Sequence, residues 1–329
     1  PFVADSMHNL GVLYRSTGRF DSSGHFLQKA YTTRLNAYGE SHPKVASTAK
    51  ELALLYAFEG KPHDSHHYYE QYMRFEGAKR ENVFLLLSER EKLQYMKETE
   101  RSMHEFLSHS VSHLSSDEKA LTGALNAWLR WKGAVMEAQG KHIEAVVASG
   151  NAEIKAHFEE LIRVRMEIAK LQTIRRADTS FEELKNTLAV SEKHKEALEA
   201  ILSNMSRGFS IEQRSGKADS GKIARILPDN SIYLDFARIA FFDFQKKTWN
   251  EPRYLVFILK PREKPSLVLI DLGSADTVDR HVRAYMKAMG SSRSGYVPNK
   301  GLLDKESGDL YRLLLQPIAQ YLSSGQHLY

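Results

Sequence analysis

Apolar positions recur at helical spacing from Met7 to Met205 and at strand spacing only after that. Met7, Leu10, Leu13 and Tyr14 form one helical stripe, Gly18-Arg19-Phe20 breaks the chain, and Phe26, Leu27 and Ala30 form a partner stripe. The pattern then returns 42 residues later, with Pro1-Phe2-Val3-Ala4 matched by Pro43-Lys44-Val45-Ala46 and Leu10-Gly11-Val12-Leu13-Tyr14 matched by Leu52-Ala53-Leu54-Leu55-Tyr56. Gly18 likewise returns as Gly60. A fixed period of this length predicts stacked helix pairs, each burying its apolar face against a neighbour. Gly11 allows close approach of a second helix, and because the first copy opens at its own linker, a further unit is expected upstream.

From Glu81 the helical pattern continues without a repeat. Ser88-Glu89-Arg90-Glu91 reads as a capping box, so a helix is expected to start there and run through Leu93, Met96, Met103, Phe106 and Leu107 to about His113. Ser115-Ser116-Asp117-Glu118 offers the next start, ahead of Leu121, Leu125, Trp128, Leu129, Trp131 and Val135. Two longer stripes follow, Ile154 to Leu171 and Phe181 to Met205, joined by the short Arg175–Ser180 segment with a second capping box at Ser180 and Glu183. So short a join predicts an antiparallel hairpin, with a parallel coiled-coil dimer as the alternative.

At Arg207 the character changes. Gly208, Ser210, Ser215, Gly216, Ser220 and Gly221 suggest a flexible linker. Strands are expected at Ser231–Phe236, Tyr254–Leu259 and Leu267–Leu272, the last two joined as a hairpin through Lys260–Ser266. Their near-continuous apolar runs predict a sheet covered on both faces. A helix should span Ala275–Met289 and another Leu302–Leu322, with Leu310, Leu313, Leu314 and Ile318 inward and Pro317 kinking it or ending its first half. Gln326–Tyr329 looks like a strand beginning. The expected division is therefore 1–80 repeats, 81–206 helical region, 207–221 linker and 222–329 α/β domain.

Composition changes this picture little. The 329 residues are 42% apolar and 26% charged, and the net charge is 46 − 41 = +5. Basic and acidic residues interleave, whereas a nucleic-acid surface needs clustered Lys and Arg, so nucleic-acid binding is not expected. No stretch reaches the roughly 18 apolar residues of a membrane span, and no signal peptide opens the chain, so a soluble cytoplasmic protein is expected. Cysteine is absent, which excludes disulfides and any cysteine nucleophile among these residues.

The paired stripes resemble the tetratricopeptide pattern over about residues 1–75, in the form with a long linker known from kinesin light chains, carried by Tyr38-Gly39-Glu40-Ser41-His42-Pro43-Lys44-Val45-Ala46. Such arrays bind peptides or partner domains on a concave face. Mapped onto this chain, that face carries Asp5, His8, Val12 and Arg15 from the first repeat and Ser47, Lys50, Leu54 and Phe58 from the second. The competing reading is that these side chains are solvated or packed against neighbouring units.

The order of elements adds a wider resemblance. Repeats of this kind, Leu87-Ser88-Glu89-Arg90-Glu91, Trp128-Leu129-Arg130-Trp131-Lys132-Gly133, a charged helical hairpin, and Ala224 to Phe236 leading to Pro252-Arg253-Tyr254-Leu255-Val256-Phe257 resemble the bacterial CHAT proteins, caspase-like peptidases associated with tetratricopeptide repeats. The resemblance implies an α + α/β chain: a repeat solenoid and helical hairpins, followed by the first strands and helices of a caspase-like domain. It also implies a His-Cys dyad, the His before a Gly and the Cys after a later strand, and for some members a role in antiphage defence. None of the 14 histidines precedes a Gly and no cysteine exists, so those catalytic residues carry over to no position and these residues alone are expected to be inactive. The resemblance therefore supports the regulatory front of a cysteine endopeptidase, with a non-catalytic interaction scaffold as the alternative.

Other chemistry is thin. His104-Glu105-Phe106-Leu107-Ser108-His109 has one residue too many for a zinc-protease helix, and the pairs His63/His67 and His109/His113 lack a third ligand. No metal or cofactor site is assigned. Trp128 and Trp131 read as core, Gly290–Gly295 as a loop, and Asp235, Asp243 and Asp271 as solvated strand-end carboxylates. Oligomeric state stays open.

Overall fold

The computed structural model describes residues 2–84, 87–138, 150–173, 181–213, 219–261, 266–290, 300–323 and 325–329. Helices α1 (Phe2–Ser16), α2 (Phe20–Tyr38), α3 (Pro43–Phe58) and α4 (Pro62–Val83) form two pairs. The repeat period is visible as chemistry: Ser23 Oγ donates to the Gly11 carbonyl at 2.8 Å, and 42 residues on Ser65 Oγ donates to the Ala53 carbonyl at 2.8 Å. Each bond ties the second helix of a pair to the middle of the first. His42 starts α3 by accepting the Lys44 amide at 3.2 Å, with Pro43 at the first position, where its missing N–H costs nothing. Leu27, Tyr31, Val45, Ala49, Leu52 and Leu55 make the core of these pairs.

Helix α5 (Glu89–His113) begins at the expected capping box, with Glu91 accepting the Ser88 amide at 2.9 Å and Ser88 Oγ accepting the Glu91 amide at 3.4 Å. Asp117 caps α6 (Glu118–Ala138) by accepting the Ala120 amide at 3.0 Å. Helix α7 (Ala152–Thr173) pairs with α8 (Phe181–Gln213) around Ile154, Leu161, Val164, Ile168, Leu198 and Leu202. Ser191 meets Glu167, while Arg165 meets Glu199. Position rises along α8 as it falls along α7, so the two run antiparallel within one chain. The join 174–180, with the Ser180 capping box, lies outside the described residues.

The expected break at Arg207 differs from the structure, because α8 continues to Gln213 and residues 220–226 form the short helix α9 (Ser220–Ile226). Asp219 supplies its start by accepting the Lys222 amide at 2.9 Å. Glycine and serine lower helix propensity but do not stop α8 at Gly208 or Ser210, and the part of the expected linker at 214–218 lies outside the described residues.

Strands β1 (Ser231–Asp243), β2 (Thr248–Lys260), β3 (Ser266–Ser274) and β4 (His327–Leu328) form one mixed sheet in the order β3-β2-β1-β4. The β1–β2 and β2–β3 pairs are antiparallel, with Phe236 opposite Val256 and Val256 opposite Ile270; β4 lies parallel to Ser231 and Ile232 of β1. The first two strands exceed the expected lengths. Beyond Phe236 burial alternates through Ala237 and Ile239, a period of two that sustains a strand as well as an apolar run does, and after a register shift between Ile239 and Phe241 the strand continues with Phe242 buried. Helices α10 (Ala275–Gly290) and α11 (Lys300–Leu310) follow, and α11 passes into a π turn at Tyr311–Leu315 and a 3-10 turn at Gln316–Tyr321. The single helix expected to Leu322 thus changes hydrogen-bond pattern around Pro317, which has no N–H to continue an α ladder. Leu314 and Ile318 still point inward, against Ile232, Val256, Ile258 and Leu272.

Two compact units divide the chain. One gathers 1–75, 101–128 and 218–329, and the other 76–100 and 129–217. The repeats and the sheet therefore share a unit, which the linear division at 80, 206 and 221 did not anticipate. Among the described residues, no helix is long and apolar enough to cross a membrane.

Candidate partner-binding face of the repeats

Helices α1 and α3 present the eight sequence-derived face residues at intervals of three and four, so each set lies along one stripe. Asp5 is engaged within the repeats. It accepts from Arg34 at 2.6 Å and from Lys44 at 2.7 Å, joining α1, α2 and α3, and Lys44 and then Arg34 hold its carboxyl down at about 2. Arg34 is buried, and it also donates to Thr48 Oγ1 at 2.6 Å and to the Lys44 carbonyl at 3.1 Å. His8 Nδ1 lies 3.4 Å from Thr48 Oγ1, and burial first, then Arg34, lowers its pKa. Val12 and Leu54 are half-buried, Val12 against the core of the pairs, and Ser47 is exposed.

The other three residues meet other parts of the same unit. Arg15 pairs with Glu51 at 2.5 Å, and its guanidinium lies 5.7 Å from the centre of the Phe58 ring. Lys50 donates to Ser102 Oγ of α5 at 2.9 Å, stands 3.9 Å from Glu105, and lies over the Tyr72 ring. Glu105 in turn accepts from the buried Tyr69 hydroxyl at 2.7 Å, and burial raises the pKa of both. Phe58 is the hub. Its ring centre is 6.3 Å from Phe20, 6.5 Å from Phe242 and 6.3 Å from Phe244, and the Lys247 ammonium sits 4.9 Å from Phe58 and 4.7 Å from Phe20.

Lys247 reaches this place from the β1–β2 turn with φ at +57°, a left-handed conformation that a lysine adopts only at some cost. Asp243 shapes the turn by accepting the Gln245 and Lys246 amides at 3.0 and 2.9 Å. The part of the repeat face around Phe58 is thus covered by the chain's own hairpin, an occupant that no local sequence pattern announced.

Histidines line the neighbouring core. His109 is 0% exposed beside His66, Tyr69 and Phe244, and neither ring nitrogen meets a hydrogen-bond partner among the described residues. Burial drives its pKa down to about 3. His104 accepts the Ala240 amide at 3.3 Å and is lowered to about 4, again chiefly by burial. His63 and His67 lie at the surface, with His63 3.4 Å from Asp117 and His67 3.0 Å from Gln71.

Trp128 is core, as expected, but Asp235 is not solvated. At 2% exposure it accepts from Trp128 Nε1 at 2.9 Å and from the Tyr233 hydroxyl at 2.5 Å. Asp271 is likewise held, by Arg253 Nε at 2.7 Å and the Gly273 amide at 2.9 Å. These carboxylates serve the sheet. The Gly290–Gly295 loop falls outside the described residues except for Gly290, the last residue of α10.

Residues 2–75 match the tetratricopeptide repeat family. No curated protein matches the chain. The N-terminal segment is a tetratricopeptide repeat region, which implies protein partners, and it is followed by a mixed four-stranded sheet with helices.

Proposed function

We propose that this chain is the partner-binding and structural front of a CHAT-type, caspase-like cysteine endopeptidase, whose repeats take up a protein activator or substrate on the α1–α3 face. The support is the order of elements: repeats, capped helices, the tryptophan helix, an antiparallel hairpin and then the sheet. One observation carries the regulatory part of this reading. Phe58, on the repeat face, packs on Phe242 of β1 and on Phe244 beside it. A partner that engages the Phe58 end must compete with the hairpin, and β1 runs from that contact into the middle of the sheet.

Caspase-like chemistry needs a thiolate nucleophile, and these 329 residues contain no cysteine. They are therefore expected to cleave nothing by themselves. The same absence favours a second reading, in which the sheet is a non-catalytic platform and partner binding is the whole function.

The complete gene product separates the two. On the first reading it cleaves a protein substrate, iodoacetamide blocks the cleavage, and the combined Arg15→Ala, Lys50→Ala and Phe58→Ala variant loses activation while far-UV circular dichroism stays unchanged. Thiol-independent cleavage by residues 1–329 alone would overturn that reading. Specific partner capture with no alkylation-sensitive proteolysis would select the scaffold.

A further inference from the structure

Helix α11 buries one side chain, and that side chain is a carboxylate: Glu306, 6% exposed. Burying a carboxylate is costly unless a positive group compensates it. What it faces is His281 of α10, whose Nδ1 lies 2.7 Å from Glu306 Oε2 and 3.7 Å from Oδ2 of Asp309, one turn along α11.

From this arrangement we propose that His281, Glu306 and Asp309 bind a divalent metal ion, with Zn2+ the best match, that locks α11 onto α10. The three donor atoms lie within 4.8 Å of one another. Tetrahedral Zn2+, with bonds of about 2.0–2.2 Å, sets its ligand atoms about 3.3–3.6 Å apart, so small side-chain rotations bring all three to bonding distance. One imidazole nitrogen and two carboxylate oxygens suit zinc and leave a fourth position for water. Arg312 donates to the other oxygen of Asp309, Oδ1, at 2.5 Å, which orients the carboxylate and leaves Oδ2 turned to His281. Helix α10 is itself fixed to the sheet, through Asp279, which accepts from Tyr254 at 2.9 Å and Arg238 at 3.1 Å.

The competing arrangement is a plain ion pair, in which a protonated His281 compensates the carboxylates. An imidazole carries charge only while protonated, whereas a bound cation compensates them at every pH at which it stays bound. Calorimetric titration of tag-free, chelator-stripped protein with ZnCl2 distinguishes the two. One equivalent is expected to bind at micromolar affinity or better and to raise the melting temperature. Glu306→Gln should remove that equivalent and Asp309→Asn should weaken it at least tenfold.

Because a loss could reflect misfolding, His281→Cys provides a gain. A cysteine sulfur reaches about as far as Nδ1, and in a chain without other cysteines Co2+ binding should produce a thiolate charge-transfer band in the near ultraviolet. Wild-type protein that takes up no stoichiometric Zn2+, an equivalent that persists in Glu306→Gln, or a folded His281→Cys variant without the band would each overturn the proposal.

Discussion

Gly11→Ala tests whether the repeat packing is set by side-chain volume or by helix propensity. Alanine is favoured over glycine within a helix by about 1 kcal/mol, so propensity alone predicts a more stable α1. The added methyl, however, would stand 2.5 Å from Leu27 Cγ, 2.8 Å from Leu27 Cδ2 and 3.1 Å from the Leu27 backbone nitrogen. The first two distances are inside any carbon–carbon contact, and the third involves backbone, so α2 must move as a unit. Ser23 resists that movement by its bond to the Gly11 carbonyl. Overpacking of this kind costs about 1–3 kcal/mol, which outweighs the propensity gain. The net loss should be about 1 kcal/mol, read as amide exchange several-fold faster in peptides from residues 2–38 and unchanged exchange elsewhere. Leu27→Ala alone should cost about 2–5 kcal/mol, since Leu27 is fully buried, but the double variant should cost at least about 1 kcal/mol less than the sum because the methyl then has room. Unchanged or slower exchange in Gly11→Ala, or strict additivity in the double variant, would refute the volume argument. The second repeat carries Ala53 and Tyr69 at the corresponding positions, both fully buried, so the incompatibility belongs to the Gly11–Leu27 pair and not to the repeat as such.

Acid should weaken the unit that holds His104 and His109. Their folded pKa values, about 4 and about 3, lie below the ordinary 6.5, so the unfolded chain binds protons first and stability is lost as pH falls below 6.5, at up to about 1.4 kcal/mol per pH unit for each group. Urea midpoints from pH 7 to pH 4 should show this slope, and His109→Leu should reduce it; a flat profile in the native protein would contradict the burial argument. Asp235→Ala leaves the Trp128 N–H and the Tyr233 hydroxyl without that acceptor, at a cost of about 2 kcal/mol or more, whereas Asp235→Asn keeps one acceptor and should cost less. Urea denaturation followed by tryptophan fluorescence measures the difference, and equal losses would show that the acceptor is not what matters.

The sequence legibly encoded whatever rests on local period or local hydrogen bonding. The 42-residue repeat, the Ser88–Glu91 box, the α7–α8 hairpin and the centres of the first three strands all follow from residues near one another in the chain. Asp219 and Asn151, which start α9 and α7, are equally local signals, the first obscured by the glycine and serine stretch around it. Elements that met across the chain had no such signature. Phe58 and Phe244 meet across much of the chain, Trp128 and Asp235 are brought together only by folding, and His281 meets Glu306 because two helices happen to cross there.

The repeat face illustrates why residue type was readable while occupancy was not. A helix period fixes which side chains point inward, and an inward Arg15, Lys50 and Phe58 have chemistry suited to any acidic and aromatic neighbour. Whether that neighbour belongs to another protein or to the same chain depends on chain path, which period does not record. Here the same chain supplies Ser102, Glu105, Phe242, Phe244 and Lys247. On the proposed reading, a ligand taking this face would meet the exposed Ser47 unopposed and would have to displace the hairpin at the Phe58 end. If binding is to reach the sheet, its free energy has to exceed the cation–π and aromatic contacts of the hairpin, and the left-handed Lys247 lowers that threshold because releasing it relieves an unfavourable backbone conformation.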